Sequence, residues 1–161
     1  MMQNPTGKIP VGNDWRINMS REIKFRAWDK FRLKMYSVSS LVQDANLFSV
    51  GGVGPHIISK DGNLVLLSEI ELMQYTGLKD KNGIEIYEGD IYKNCEGLIM
   101  TVIWKNNSSG FVFEYKFKRI YQGEIYIDTN YIRLGDTSSK RWGGEVIGNI
   151  YENPNLLKEE E

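Results

Sequence analysis

The sequence predicts a mainly β protein, built as a small barrel or sandwich of many short strands. Its composition favours strands and tight turns, because its 161 residues include nine Tyr, six Phe, four Trp and sixteen Gly. Several segments alternate apolar and polar side chains with a period of two, which is the pattern of a half-buried strand. Gly, Asn and Asp lie between these segments, where the turns of a small all-β fold are expected.

The length and the residue usage narrow the class of protein further. A chain of 161 residues buries roughly 70% of its unfolded surface, so one domain folds without a disulfide or a metal. No apolar run reaches the 18 residues that a membrane-spanning helix needs. Cys95 is the only cysteine, which excludes an internal disulfide framework and predicts a reducing compartment.

The N-terminal part begins with a segment that we expect to be a poorly ordered extension. Residues 1–20 show no periodicity and contain two Pro and two Gly within the first twelve. From residue 21 the pattern becomes regular, and a first strand over 23–27 is followed by a polar turn at Asp29 and Lys30. Apolar residues alternate again over 33–36, so the two segments predict a β-hairpin.

The segment between this hairpin and residue 70 predicts two short strands, over 47–50 and 64–67. A glycine-rich stretch at 51–55 and a turn at 61–63 separate them. We expect His56, which follows the glycine-rich stretch, to lie in a loop.

The second half of the chain predicts a meander of antiparallel strands. Turn residues at 79–83, 88–90 and 106–110 separate its segments, and the first of these turns has an Asn-Gly sequence typical of tight hairpins. Pro154 ends the last strand, since Pro cannot donate to a ladder. The predicted strands cover residues 72–78, 84–87, 91–93, 98–105, 111–118 and 145–151.

Three blocks of the sequence are similar to one family. They are REIKFRAWDK at 21–30, MQYTGLKDKNG at 73–83 continuing to IYEGDI at 86–91, and EVIGNIYENP at 145–154. In this order they resemble the YopX family, small proteins of bacteriophages and prophages, over roughly residues 21–157. The resemblance implies an SH3-like barrel in the C-terminal part. It brings no catalytic residues, because the family has no established activity.

The strand pattern and the resemblance together predict the domain organisation. An N-terminal β-hairpin region is expected to pack on a C-terminal SH3-like small barrel, in the cytoplasm of a bacterial host. The predicted boundaries are a poorly ordered extension over 1–20, an N-terminal β subdomain over 21–70, the SH3-like barrel over 71–154 and an acidic tail over 155–161.

Catalytic and metal-binding chemistry finds little support in the sequence. His56 is the only histidine, so a metal site depends on carboxylates alone. The run at 80–83 looks like part of a calcium loop, but it places Leu78 and Gly89 where the first and last acidic ligands belong. We therefore expect no enzyme activity, no metal and no cofactor. The remaining carboxylate cluster, which lies in or beside a turn, consists of Glu85, Glu88 and Asp90.

The first hairpin carries the one pattern that stands out, a basic and aromatic face. Residues 21–35 contain six Lys or Arg against two acids. Such a face binds phosphates while a Trp stacks on a base, and Lys116 and Lys118 add a second patch if the two hairpins are adjacent. In the other interpretation, the charges prevent edge-to-edge aggregation and the Trp turns into the core. Alternation through the turn places on this face Lys24, Arg26, Trp28, Arg32 and Lys34.

Two functions follow from these observations. The first is a non-enzymatic binding or assembly module that contacts a protein partner or a second copy of itself, because aromatic-rich strands suit protein recognition. The alternative is a nucleic-acid-binding accessory protein that uses the basic aromatic hairpin. A net charge of −1 favours the first, since dedicated nucleic-acid binders are usually basic. No membrane partner is expected.

Overall fold

A computed structural model describes residues 22–43, 54–134 and 143–158. These residues form eleven strands in two antiparallel sheets, together with three short 3-10 turns. The predicted extension at 1–20, the predicted strand at 47–50 and the end of the acidic tail lie outside the described residues. The strands are β1 Phe25–Asp29, β2 Lys34–Val42, β3 His56–Ser59, β4 Leu64–Leu66, β5 Ile70–Lys79, β6 Glu85–Tyr87, β7 Asp90–Lys93, β8 Ile99–Lys105, β9 Gly110–Tyr121, β10 Glu124–Arg133 and β11 Glu145–Asn149.

The first sheet has the strand order β4-β3-β2-β1-β5-β6. The predicted N-terminal hairpin is confirmed as β1 and β2, joined by a turn over residues 30–33. Strand β1 lies inside the sheet, because it pairs with β5 on its other side. The polar turn at 61–63 also forms as predicted, between β3 and β4.

The second sheet has the strand order β10-β9-β8-β7-β11. Strand β8 pairs with β9 only from Gly110 to Glu114. Among the described residues, the remainder of β9 pairs with β10 alone, and a two-residue turn at Gln122 and Gly123 joins the two strands. A two-stranded ribbon therefore extends beyond the sheet. We call residues 115–130 the arm.

Two apolar clusters stabilise the sheets. Strand β5 connects them, because Leu72 packs against the first cluster and Leu78 against the second. The first cluster contains Ala27, Tyr36, Ile57, Val65 and Ile70, and the second contains Ile86, Tyr92, Met100, Val102, Phe111 and Phe113.

The structure confirms a mainly β fold and corrects three details. The SH3-like barrel is not confirmed, because neither sheet of the described residues closes on itself. His56 does not lie in a loop: it begins β3 and is buried. Strand β10 was not among the predicted strands.

The predicted division at residue 70 stays a prediction. Strands β5 and β6, from beyond that position, complete the first sheet. Among the described residues, no helix has the length and apolar character needed to cross a membrane.

Candidate functional site

The register of the first hairpin separates the residues that were predicted to share one face. Trp28 pairs with Met35, and Asp29 pairs with Lys34. Since residues directly opposite each other in a sheet share a face, Lys34 lies on the face of Asp29, away from Arg26 and Trp28. The prediction was wrong for Lys34, because the four-residue turn pairs an odd position with an even one.

Lys24 is held by acidic partners. Its Nζ donates to Glu85 Oε1 at 2.5 Å and lies 3.1 Å from Glu22 Oε1. The hydrogen bond to Glu85 is the largest cause of a raised pKa of Lys24, and the same bond lowers the pKa of Glu85. Tyr87 Oη donates to the second oxygen of Glu85 at 2.8 Å. Burial, followed by this hydrogen bond, raises the pKa of Tyr87 to about 12.

Arg26 forms an ion pair with a fully buried carboxylate. Its Nη2 lies 2.5 Å from Oδ1 of Asp90, and its guanidinium lies 4.9 Å from the centre of the Tyr87 ring. The second oxygen of Asp90 accepts the backbone N–H of Tyr87 at 2.7 Å. Burial raises the pKa of Asp90, because the charged form loses contact with water. This pair links β1 of the first sheet to β7 of the second.

Trp28 is directed into the fold, as the second interpretation of this hairpin expects. Only 8% of its surface is exposed. Its ring stacks on Tyr151, with 5.9 Å between the ring centres and an angle of 16° between the planes. In this position its face is covered by another ring of the same chain.

The remaining cations of the first hairpin also have partners. Arg32 Nη1 lies 2.7 Å from Oδ2 of the buried Asp29, and Lys34 Nζ lies 4.9 Å from the centre of the Tyr36 ring. Burial acts to raise the pKa of Asp29, but the hydrogen bonds from Arg32 and Phe31 outweigh it and lower the pKa. The hairpin therefore directs much of its charge towards its own structure.

Asp80, which belongs to the calcium-like run, has a structural role. Its carboxylate accepts the backbone N–H groups of Asn82, Ile84 and Val146 at 2.8–3.0 Å. These bonds fasten the turn between β5 and β6 to β11. Among the residues with described positions, no group of three or more His, Cys, Asp or Glu side chains is placed to hold a metal ion.

The arm presents a different kind of surface. Three isoleucines share one of its faces, because Ile120 pairs with Ile125, and Ile127 pairs with Lys118. Ile120, Ile125 and Ile127 are 73%, 67% and 62% exposed. The register places Lys116 on this same face, opposite Thr129. The face is therefore apolar at the tip and partly basic towards the base.

The opposite face of the arm combines exposed aromatic rings with polar side chains that are paired with each other. Arg119 Nε lies 3.0 Å from Asp128 Oδ2, and Tyr126 Oη donates to Glu124 Oε2 at 3.1 Å. The first contact reinforces the pairing of β9 with β10, and the second lies within β10. This face exposes the rings of Phe117, Tyr121 and Tyr126, whereas the isoleucine face exposes aliphatic side chains to a greater extent.

A groove lies at the base of the isoleucine face. It has a volume of about 570 Å³. Ile127 of the arm contributes to its wall together with Leu98 and Ile99 from the start of β8, and Leu156 and Leu157 from the C-terminal 3-10 turn. The apolar surface of the arm is thus continuous with a concave apolar surface.

The structure does not place the two predicted basic patches on neighbouring strands. Lys116 and Lys118 belong to β9 of the second sheet, whereas Lys24, Arg26 and Trp28 belong to or adjoin β1 of the first. The sequence prediction missed the apolar surface of the arm. A signal was present, since Gln122-Gly123 precedes a segment rich in β-branched and aromatic residues, but it was not used.

Two open antiparallel sheets joined by the buried Arg26–Asp90 ion pair define the architecture of the described residues, an all-β fold with an extended arm. The family model described as YopX protein matches residues 24–158, which is most of the sequence. The chain belongs to the YopX family, as the three sequence blocks predicted.

A solved structure is similar to this chain over most of the chain's length. The crystal structure of protein EF1440 from Enterococcus faecalis aligns with 86% of this chain and 100% of its own, with 26% sequence identity and a TM-score of 0.53. No curated protein matches the chain.

Proposed function

We propose that this YopX-family protein is a non-enzymatic binding or assembly module that contacts its protein partner through the isoleucine face of the arm. The observation that carries this proposal is the exposure of Ile120, Ile125 and Ile127 on a ribbon that only two strands form. An isolated two-stranded ribbon is marginally stable in water, and contiguous exposed apolar side chains are typical of protein contact sites.

The groove beside the arm supports the same assignment. A partner that covers the three isoleucines also reaches Leu156 and Leu157, because Ile127 borders both surfaces. Lys116 adds a polar contact at the edge of this surface. An apolar centre with a charged rim is the usual arrangement at protein interfaces.

Nucleic-acid binding remains the alternative function. The first hairpin offers it less support, because the ring of Trp28 is buried against Tyr151 and the guanidinium of Arg26 is paired with Asp90. Of the residues predicted to bind nucleic acid, Lys116 and Lys118 lie on the isoleucine face of the arm. An electrophoretic shift with DNA at low salt, where phosphate contacts are strongest, tests the alternative.

Family resemblance and side-chain chemistry support the remaining parts of the proposal. The resemblance favours a phage or prophage origin and the host cytoplasm as the site of action. Two carboxylates of the predicted cluster are paired with cations, since Glu85 accepts a hydrogen bond from Lys24 and Asp90 accepts one from Arg26. This favours a module without enzymatic activity.

A matched pair of double variants tests the role of the arm. Ile125→Ser/Ile127→Ser removes two of the three exposed isoleucines of the arm, and Ile23→Ser/Leu33→Ser removes two equally exposed apolar residues at the first hairpin. Each protein is used to capture binding partners from host lysate, and bound proteins are quantified by mass spectrometry. We expect a partner that the wild type and the first-hairpin variant retain and the arm variant loses. Identical binding by all three proteins contradicts the proposal.

A further inference from the structure

Besides its isoleucine face, the arm has an exposed strand edge, the outer edge of β10. Within the described part of the chain, β10 pairs with β9 on one side and with no strand on the other. Such an edge presents a row of backbone N–H and C=O groups that accept another strand. On β10 the N–H of Tyr131 donates to the side-chain oxygen of Asn130 at 2.8 Å, so strand pairing exchanges this bond for one to the partner. At ten residues, β10 is also one of the longest strands of the fold.

We propose that the occupant of this edge is a second copy of the same chain, whose β10 pairs antiparallel with this β10 so that Thr129 lies opposite Thr129. This inference goes beyond the proposed function, because edge pairing places the isoleucine faces of the two copies side by side on one surface. Closed homodimers usually have two-fold symmetry, which requires that one patch be complementary to itself. The residues of β10 meet this requirement in one register.

Symmetry and side-chain chemistry select the register. A two-fold axis through an antiparallel pair stands normal to the sheet, so each residue meets a residue of the same face. The two registers that overlap most of β10 are centred on residue 128 or on residue 129. Centring on Asp128 places two carboxylates directly opposite each other, which destabilises a sheet. The register centred on Thr129 avoids this contact.

The register centred on Thr129 produces favourable cross-strand pairs at its centre, and places Ile125 opposite Arg133 at its ends. Ile127 meets Tyr131, an aromatic and β-branched pair, and Asp128 meets Asn130, whose amide can donate to the carboxylate. Thr129 lies opposite Thr129 of the second copy, so that two hydroxyl groups face each other. Tyr131 and Ile127, which are 39% and 62% exposed in the single chain, both lose solvent contact in this arrangement.

The positive charges of the arm do not oppose this pairing. Lys116 and Lys118 belong to β9, which becomes the outer strand on each side of the dimer. Three strand spacings separate the two copies of β9, a distance of about 14 Å. That distance exceeds the Debye length of about 8 Å at physiological salt, so the repulsion is screened.

The size of the interface sets the expected strength of association. The proposed register pairs residues 125–133 of each copy, nine residues a side. Standard stable interfaces use about 20–30 residues a side. We therefore expect a reversible dimer whose population rises with protein concentration, and sedimentation equilibrium over a wide concentration range measures it.

Disulfide trapping tests the register directly. Cys95, which is exposed, is first replaced in a Cys95→Ser background so that each variant carries one cysteine. In the proposed pairing the two copies of residue 129 lie about 5 Å apart at Cα, within the range of a disulfide. The two copies of residue 128 are offset along the strands by two residues and lie about 8 Å apart at Cα, outside that range.

Thr129→Cys is therefore expected to form a cross-linked dimer under mild oxidation, and Asp128→Cys is not. Thr129→Lys, which places two ammonium groups opposite each other, is expected to weaken dimerisation about tenfold. Far-UV circular dichroism confirms that each variant is folded. Cross-linking through residue 128 instead of 129, or dimerisation that Thr129→Lys leaves unchanged, overturns the proposal.

If sedimentation equilibrium shows a monomer at every concentration, the proposal that a second copy occupies the edge of β10 is overturned. It does not decide the proposed function, because capture of a different protein that depends on Ile125 and Ile127 is measured separately. Failure of the capture experiment together with a dimer through β10 keeps this inference and restricts the module to self-assembly.

Discussion

The first hairpin and the arm have similar patterns of side chains and different surroundings. Both are antiparallel pairs with alternating side chains and several cations. Strand β1 has a neighbour on each side, its Trp is covered by Tyr151, and Arg26 is paired with the buried Asp90. In the arm, three isoleucines that share one face of the paired strands are more than 60% exposed, whereas the equally exposed Ile23, Phe31 and Leu33 lie before β1 or in the turn after it. Alternation and charge therefore do not distinguish a structural hairpin from a contact surface, whereas the tertiary neighbours do.

The largest expected effect concerns the aromatic residues of the two hairpins. Trp28→Ala removes a buried ring, so we expect the free energy of unfolding to fall by about 3–5 kcal/mol. Tyr126→Ala, at a position that is 42% exposed on the arm, is expected to change it by about 0.5 kcal/mol or less. Urea unfolding curves measure both values. Similar losses for the two variants contradict the contrast between the hairpins.

A smaller effect is expected from the ion pair that joins the sheets. Arg26→Ala leaves the carboxylate of Asp90 buried without its partner, which costs about 3 kcal/mol of unfolding free energy. The double variant Arg26→Ala/Asp90→Ala removes the stranded charge, so its loss is expected to be less than the sum of the two single losses. If the loss of unfolding free energy in the double variant equals the sum of the two single losses, Arg26 and Asp90 are not coupled, and the proposed link between the sheets is contradicted.

The smallest effect concerns acid stability. The pKa of Asp29 is lowered in the folded protein, so its contribution to stability is present above the ordinary pKa of about 3.9 and is lost as the pH falls through the lower folded value. Asp29→Asn removes the partner of Arg32 and is expected to cost about 1 kcal/mol at pH 7. Between pH 5 and pH 2, urea midpoints of the wild type should approach those of the variant. A constant difference across this range contradicts the assignment.

Local sequence chemistry predicted the turns and most strands of this fold. The turns at 61–63, 79–83 and 106–110 formed because Gly, Asn and Asp determine the backbone within a few residues. The side of Lys34 could not be obtained in this way, because it depends on the number of residues in the turn. Strand β10 was detectable from its β-branched and aromatic residues.

The environment of the candidate site was not predictable from one sequence. Trp28 is covered by Tyr151, and Arg26 is neutralised by Asp90, residues that lie far along the chain. No local pattern indicates which carboxylate a cation meets. The same limitation applies to the barrel, because closure depends on how far the edge strands of a sheet approach each other, which alternation does not report.

Hydrogen exchange at two protein concentrations tests most directly whether the arm, and not the first hairpin, is where the chain meets its partner. Backbone amides of 124–133 and of 25–42 are compared by mass spectrometry in dilute and in concentrated solution. We predict that concentration slows exchange in 124–133 and leaves 25–42 unchanged. Slower exchange in 25–42 with no change in 124–133 contradicts the account.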